Sequence, residues 1–257
     1  MGKVYASSDW HGCWNVAKQV FDFLQPDDIL IFIGDAIDRG PDGWRIMKEL
    51  FNDERVIYLQ GNHEKMMADA INSFITLERM TMLWFANGGE QTWKDIENFS
   101  DDLLMGIVKM IYKMPTKYVY KSPKGHTVIL EHAGYTPFDT PHRSHDPLWD
   151  REHFYDSWDG NWGYEEKSEV ETTYLVHGHT PVQYLEFHYG YKDQPKKTKE
   201  MIKYGIQWDK YYDCDWTPEV IHYCEGHKFD IDLCTIVSNR IALLDLDTFE
   251  AIYFDAD

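Results

Sequence analysis

The sequence predicts an α/β fold whose first half contains a parallel sheet. Strand-like and helix-like segments alternate over the first sixty residues, which is the pattern of β-α-β units with right-handed crossovers. The run at residues 29–33 is wholly apolar, as expected for a strand that is covered on both faces. Each predicted strand of this half is followed at once by Asp, His or Asn side chains. Ligands bind beyond the carboxyl ends of strands in open α/β sheets, so these side chains mark a candidate site.

Apolar periodicity defines the elements of the first half. It predicts strands at residues 4–7, 29–33 and 56–59, and amphipathic helices at residues 14–24 and 43–51. Residues 63–114 also have helical spacing, with an interruption at Gly88-Gly89. We therefore expect the sheet to be followed by several helices.

The second half is predicted to contain more strands. Residues 118–120 and 127–131 flank a Ser-Pro-Lys-Gly turn and indicate a hairpin, while residues 135–170 are rich in loop-forming and aromatic residues. Further strands are predicted at residues 174–177, 229–236, 240–246 and 249–254. Residues 190–217 are polar and are interpreted as an insertion. No repeat or linker divides the chain, so residues 1–257 are interpreted as a single domain.

Composition and charge narrow the classes of partner. The formal net charge is −19, which repels nucleic-acid phosphates and anionic membranes, so we expect neither as a partner. A strand-like run begins at Lys3, which leads us to expect no signal peptide. The four cysteines form no C-x-x-C pair, which favours reduced thiols in a cytoplasmic protein. The sequence indicates no particular oligomeric state.

Groups of potential metal ligands follow five predicted strands. Because the carboxyl ends of these strands are expected to meet, the groups should converge on one site. Carboxylate, imidazole and amide oxygen together suit Mn, Fe or Zn. Single groups such as Asp-x-His are weak signals, but five in this order are specific. They are Ser8-Asp9-Trp10-His11-Gly12, Gly34-Asp35-Ala36-Ile37-Asp38-Arg39-Gly40, Gly61-Asn62-His63-Glu64, Glu131-His132-Ala133-Gly134 and His177-Gly178-His179-Thr180.

These motifs resemble the calcineurin-like metallophosphoesterases, and more narrowly their phosphoprotein phosphatase branch with its bacterial and phage serine/threonine phosphatases. The resemblance extends to residues 84–89, 148–151 and 230–233. It implies a β-sandwich flanked by helices in four layers, α/β/β/α, with a binuclear metal centre at one edge. It also implies hydrolysis of a phosphomonoester by a hydroxide that bridges two cations about 3.5–4 Å apart. The expected substrates are phosphorylated proteins or small phosphoesters.

The resemblance assigns roles to ten residues. His63 is the expected general acid, with Asp38 orienting its imidazole. Arg39 and Arg151 are expected to bind phosphate oxygens, since a guanidinium group matches them in bidentate geometry. Manganese is the favoured metal, with iron or zinc as alternatives. The six expected metal ligands are Asp9, His11, Asp35, which would bridge both ions, Asn62, His132 and His179.

Two other functions stay open from the sequence. The first is another enzyme of the same superfamily, such as a dinucleoside-polyphosphate hydrolase, although Arg39 and Pro181 favour the phosphomonoesterase branch. The second is a non-catalytic phosphate-binding module, which would be expected to have lost at least one of the ligands.

The chain departs from the family pattern at Ser8 and Ala133, where glycine is common. His177, two residues before His179, is interpreted as a packed core residue rather than a support for the metal ligands. The remaining histidines lack motif support, and His153 among others is interpreted as a surface or loop residue.

Overall fold

The computed structural model describes residues 2–73, 79–135, 145–155, 171–184 and 217–256. Within these residues the strands are β1 (Val4–Ser7), β2 (Ile29–Phe32), β3 (Val56–Tyr58), β4 (Lys117–Lys121), β5 (Thr127–Glu131), β6 (Thr173–His177), β7 (Ile221–Tyr223), β8 (Lys228–Asp230), β9 (Arg240–Asp245) and β10 (Ala251–Asp255). The helices are α1 (Trp14–Phe23), α2 (Gly43–Asn52), α3 (Asn62–Ser73), α4 (Arg79–Ala86), α5 (Glu90–Ile96), α6 (Asp101–Ile111) and α7 (Thr235–Ser238), with a 3-10 helix at Glu152–Tyr155.

The described strands form two mixed sheets of five strands each. The first has the order β10-β9-β1-β2-β3, and the second has the order β4-β5-β6-β8-β7. In the first sheet β1, β2 and β3 are parallel, as the alternation of strands and helices predicts. In the second sheet β5, β6 and β8 are parallel, and β4 and β5 form the predicted antiparallel hairpin. Five of these parallel strands, β1, β2, β3, β5 and β6, lead into the five motifs identified from the sequence.

Strand β2 shows how one apolar run serves two cores. Leu30 and Phe32 pack with the helices on the outer face of the first sheet. Ile31 alternates with them and packs between the two sheets, together with Val128 and Val176 of the second sheet. Successive side chains of a strand point to opposite faces, so a strand covered on both sides has to be apolar throughout.

The helices α1 to α6 contribute to the core on the outer face of the first sheet. Helix α2 buries Ile46, Met47 and Leu50, which lie three and four residues apart on one face. Helix α6 begins at a Ser100 cap, whose hydroxyl accepts a hydrogen bond from the backbone N–H of Leu103. No helix in the described residues is both long and apolar enough to cross a bilayer.

The predicted sandwich of two sheets flanked by helices is confirmed, with one local error. Residues 229–236 were expected to be a strand, but β8 ends at Asp230 and Thr235 begins helix α7. Alternating polar and apolar residues produced the error. Asp230 Oδ1 accepts a hydrogen bond from the backbone N–H of Asp232, and Asp232 Oδ1 accepts one from Cys234, so the chain turns. The 190–217 insertion lies almost wholly outside the described residues, and the single-domain interpretation stays a prediction.

Candidate metal centre

The loops that follow β1, β2, β3, β5 and β6 meet at one edge of the sandwich. Backbone hydrogen bonds join the first two loops, from Asp9 N to Gly34 O at 3.0 Å and from His11 N to Asp35 O at 3.1 Å. A third bond, from Gly178 N to His132 O at 3.0 Å, joins the loops of the second sheet. The six predicted metal ligands are all buried there, at exposures of 7% or less.

Several residues of the site have a left-handed backbone conformation, which residues other than glycine rarely adopt. The φ angles are 57° at Asp9, 41° at His11, 62° at Asp35 and 67° at His179. The same conformation occurs at Asp38 and Arg39. Each such residue costs about 1–3 kcal/mol, and clusters of them are typical of functional sites, where the strain fixes side-chain direction. The sharp turns at the strand ends are therefore built from the functional residues themselves.

Asp35 lies between two groups of histidines. Its Oδ2 is 3.8 Å from His11 Nε2 and 3.8 Å from His63 Nε2, while its Oδ1 is 3.4 Å from His132 Nε2. Two sets of potential ligands result, and both contain Asp35. They are His11 with His63, and His132 with His179; within each set the ligand atoms lie within 4.8 Å of one another. A carboxylate in this position can bridge two cations.

In the second set, the His132 ring nitrogen Nε2 faces two acceptor oxygens, and this arrangement requires a positive charge between them. His132 Nδ1 lies 2.8 Å from the Ile33 carbonyl, so its Nε2 faces the acceptors Asn62 Oδ1, at 2.8 Å, and Asp35 Oδ1. Burial, which lowers the pKa of His132, is outweighed by the charge of Asp35, and the pKa is raised to about 10. A proton on His132 Nε2 balances the same acceptor oxygens that a bound cation would balance. His179 Nδ1 lies 3.0 Å from the same Asn62 oxygen. These donors fit a metal ion.

In the first set, His11 is oriented to bind a metal ion. His11 Nδ1 lies 2.9 Å from the Ile37 carbonyl, which leaves Nε2 directed at the site. Burial, followed by the charges of Arg39 and His63, holds the pKa of His11 well below its usual value, so it stays neutral. Asp9 Oδ1 lies 3.8 Å from His11 Nε2. The Arg39 guanidinium group is 2.8 Å from this nitrogen, so a cationic group already lies against it. These residues also fit a metal ion.

His63 is held by a buried carboxylate. Its Nδ1 lies 2.7 Å from Asp38 Oδ2, and its Nε2 is 3.0 Å from an Arg39 nitrogen. Asp38 itself accepts hydrogen bonds from Trp84 Nε1 at 2.8 Å and from the Thr92 hydroxyl at 2.7 Å. The structure thus places the predicted acid beside its predicted partner. Sequence reasoning missed the roles of Trp84 and Thr92, which lie about fifty residues away in the chain.

The two predicted phosphate-binding arginines lie beside the ligands. Arg39 is exposed and its backbone N–H donates to Gly88 O at 3.1 Å. Arg151 Nε donates to the Thr180 hydroxyl at 3.1 Å, one residue after His179. Burial lowers the pKa of Arg151, and nearby acidic groups partly offset this effect. Both side chains can therefore present positive charge to a bound anion.

Glu64 joins two loops of the site and was not assigned a role from the sequence. It is fully buried, and its oxygens accept hydrogen bonds from the backbone N–H groups of Asp35 and Gly61, each at 2.9 Å. It also accepts from Ala36 N and from the Tyr58 hydroxyl, at 2.9 and 2.8 Å. The only sequence signal was its place in Gly-Asn-His-Glu. Glu64 therefore fixes the loop that carries Asp35 relative to the loop that carries Asn62.

Two histidines that were not predicted to be metal ligands, His177 and His153, are buried and have hydrogen-bond partners in the core. His177 is fully buried with its Nε2 at 2.7 Å from the Tyr223 hydroxyl, and burial lowers its pKa to about 3, which agrees with a packed core residue. The expectation that His153 lies on the surface or in a loop was wrong, because its 1% exposure and its bond from Nε2 to Ala133 O at 2.9 Å place it in the core. His142 and His188 lie outside the described residues.

A family model described as calcineurin-like phosphoesterase matches residues 2–227, which is most of the chain. The chain belongs to this family. Membership of the calcineurin-like phosphoesterases, combined with two buried His and Asp groups that share Asp35, implies a binuclear metal site. The fold, the family and the ligand geometry thus agree.

Individual relatives have two different activities. A serine/threonine-protein phosphatase 1 from Salmonella typhimurium is 34% identical over 90 residues, which cover 34% of this chain and 39% of the relative. A symmetrical bis(5'-nucleosyl)-tetraphosphatase from Wigglesworthia glossinidia brevipalpis is 28% identical over 137 residues, or 52% of this chain and 45% of the relative. The matched regions span less than half the length of either relative.

A solved structure of a candidate diadenosine tetraphosphatase has the same fold. It superimposes with a TM-score of 0.54 at 15% identity, covering 99% of this chain and 94% of the other. At this identity the likeness concerns the arrangement of sheets and helices. It supports the two-sheet sandwich described above.

Proposed function

We propose that this chain is a metal-dependent phosphomonoester hydrolase of the serine/threonine protein phosphatase type. The observation that carries the proposal is the Asp38–His63 pair, whose imidazole Nε2 lies 3.8 Å from the shared ligand Asp35 and beside Arg39. A proton donor beside both the metal ligands and a phosphate-binding arginine is what cleavage of an alkyl phosphate needs, because the leaving alkoxide is a strong base.

The arginines would bind the substrate phosphate. Arg39 and Arg151 can each form two parallel hydrogen bonds to phosphate oxygens, and their charge offsets the negative charge that grows in the transition state. The overall charge of −19 makes such a local positive region necessary for an anionic substrate. A phosphorylated protein or a small phosphoester is therefore the proposed partner, with neither nucleic acid nor membrane required.

The metal ligands would be Asp9 and His11 for one cation and Asn62, His132 and His179 for the other, with Asp35 bridging. When bound, such a pair lowers the pKa of a water molecule and acts as a Lewis acid on the phosphate. Mixed carboxylate, imidazole and amide ligands favour manganese, with iron or zinc as alternatives. Cys13 and Cys234 are free thiols, which supports a reducing compartment such as the cytoplasm.

The His63 imidazole would protonate the leaving oxygen through Nε2. Asp38 accepts a hydrogen bond from Nδ1 and orients the ring, so Nε2 is the nitrogen that faces the site and would carry the transferred proton. Trp84 and Thr92 satisfy the Asp38 oxygens and prevent the carboxylate from rotating away. The acid is therefore oriented by hydrogen bonds from two other helices.

Hydrolysis of a dinucleoside tetraphosphate is the second candidate, because one of the matching relatives has that activity. A phosphoserine peptide and diadenosine tetraphosphate would be compared with added Mn²⁺. We expect kcat/KM for the peptide to be about tenfold higher or more, a ratio that modest differences in pocket contacts can produce. The reverse order would replace the first proposal with the second.

The alternative that this chain is a non-catalytic phosphate-binding module is tested with the same protein. Asp35→Asn removes the charge that both ligand sets share, so we expect it to lose both metal ions and turnover of p-nitrophenyl phosphate. Absence of turnover in the unaltered chain with both ions bound would contradict an enzymatic function. A matched control is Asp22→Asn, since Asp22 is an exposed helical residue outside the ligand set and paired with Lys18.

A further inference from the structure

The two oxygens of the Asp9 carboxylate have different surroundings. Oδ2 accepts hydrogen bonds from the Ser8 hydroxyl and from the backbone N–H of His179, the latter at 3.1 Å. Oδ1 lies 3.8 Å from His11 Nε2, on the side of the metal ligands. The first oxygen is thus engaged by protein donors, and the second faces the place for a cation.

The Ser8 side chain is held tightly in this arrangement. Ser8 is 3% exposed, and a Cβ atom at Gly178 would lie 2.0 Å from its Oγ and 2.1 Å from Asp9 Oδ2. The loop after β6 can approach Asp9 only because position 178 has no side chain. A hydroxyl group has one proton to donate, and here it is directed at Asp9. Alanine or glycine at position 8 would leave Oδ2 without this donor.

We infer that Ser8 is a positioning residue that restricts Asp9 to binding a cation through one oxygen, and that it thereby selects against Ca²⁺. Calcium takes about 6–8 oxygen ligands and often binds both oxygens of a carboxylate, whereas manganese, iron and zinc accept imidazole and fewer oxygens. A hydrogen bond at Oδ2 therefore lowers the affinity for Ca²⁺ more than it lowers the affinity for Mn²⁺. The inference rests on the metal centre and is independent of the proposed substrate.

Ser8→Ala and Ser8→Gly remove the hydroxyl and test this role. Each variant, stripped of metal, would be titrated with Mn²⁺ at several Ca²⁺ concentrations while free Mn²⁺ is measured by electron paramagnetic resonance. We expect the ratio of Mn²⁺ to Ca²⁺ affinity at one of the two sites to fall about tenfold, the usual size of the effect when a hydrogen bond to a metal ligand is removed. The other site should keep its ratio.

Ser7→Ala is the matched control. Ser7 is also buried, but its hydroxyl donates to Ala242 O at 2.7 Å and accepts from Trp10 Nε1 at 2.8 Å, away from Asp9. We expect the control to keep the affinity ratio at both sites. An unchanged ratio in both Ser8 variants, or an equal shift in Ser7→Ala, would overturn the inference. No substrate enters the measurement, so its failure would leave the proposed phosphatase activity untouched.

Discussion

At the scale of single residues, the site depends on side chains that are fixed by partners distant in the sequence. The identity of His63 could be predicted from Gly-Asn-His-Glu, but its orientation depends on Asp38, Trp84 and Thr92. Asp38 lies 25 residues before His63, while Trp84 and Thr92 lie 46 and 54 residues after Asp38, so no local spacing reveals that they meet. A motif therefore identifies the residue, whereas the orientation of its side chain depends on the fold.

His63→Ala is predicted to affect substrates according to their leaving groups. Turnover of a phosphoserine peptide should fall by about 10²–10⁴-fold, because an alkoxide needs the proton that His63 supplies. Turnover of p-nitrophenyl phosphate should fall much less, since nitrophenolate is a weak base. The measurement is kcat for both substrates, with His222→Ala as a control at an exposed histidine of β7. An equal loss on both substrates would argue against proton donation.

Glu64→Gln is predicted to destabilise the metal-free protein. The carboxylate accepts from three backbone N–H groups and the Tyr58 hydroxyl, and an amide nitrogen would face at least one of these donors. Leaving buried donors unpaired should lower the free energy of unfolding by about 2–3 kcal/mol. Urea unfolding measures this value, and Glu97→Gln at an exposed position serves as the control. A change below about 0.5 kcal/mol, the usual size at exposed positions, would contradict the clamping role.

At the scale of elements, the turn between α4 and α5 supports Arg39. Gly88 has φ of +96°, and a Cβ atom there would lie 2.8 Å from Arg39 Cγ. Its carbonyl accepts the Arg39 backbone N–H at 3.1 Å. Gly88, which the sequence indicated only as part of a helix interruption, thus supports a residue that we propose binds phosphate.

Gly88→Ala should displace Arg39 and weaken phosphate binding. We expect KM for a phosphoester to rise about tenfold and kcat to fall as well, because Arg39 is proposed both to bind the phosphate and to offset the charge that grows in the transition state. Steady-state kinetics provides the test. Gly106→Ala is the control, since Gly106 lies in helix α6 with no atom within 4 Å of its missing Cβ. A similar rise of KM in both variants would contradict the role of Gly88.

The elements differed in how well they could be predicted from the sequence. Strand β2 was predicted because both of its faces are buried, which leaves a wholly apolar run. The segment after β8 was mistaken for a strand, because Asp230 and Asp232 alternate with apolar residues while their side chains bond the local backbone. Periodicity reports which side is buried, but it does not distinguish a pleated strand from a turn with the same alternation.

At the scale of the whole molecule, the metal ligands come from both sheets. Asp9, Asp35 and Asn62 follow strands of the first sheet, while His132 and His179 follow β5 and β6 of the second. Bound cations would therefore link the two halves of the sandwich. The position of each motif after a strand predicted that the ligands meet, but parallel strands share a carboxyl edge only within one sheet. That the ligands come from two sheets was implied by the family resemblance.

Metal binding is accordingly predicted to stabilise the whole fold. At a Mn²⁺ concentration about 100 times Kd, binding should add about 2.7 kcal/mol to the free energy of unfolding, and a chelator should remove it. Thermal unfolding with and without Mn²⁺ measures the effect. Asp35→Asn should show no gain from Mn²⁺, because it lacks the shared ligand. Equal gains in the original chain and the variant would place the stabilising metal elsewhere.

The most direct test of the two-cation site is an anomalous difference map from crystals grown with Mn²⁺. Two peaks about 3.5–4 Å apart are predicted, one beside His11 and one beside His132 and His179, with Asp35 between them. A single peak, or peaks that do not contact Asp35, would contradict the binuclear centre on which the proposed hydrolysis depends.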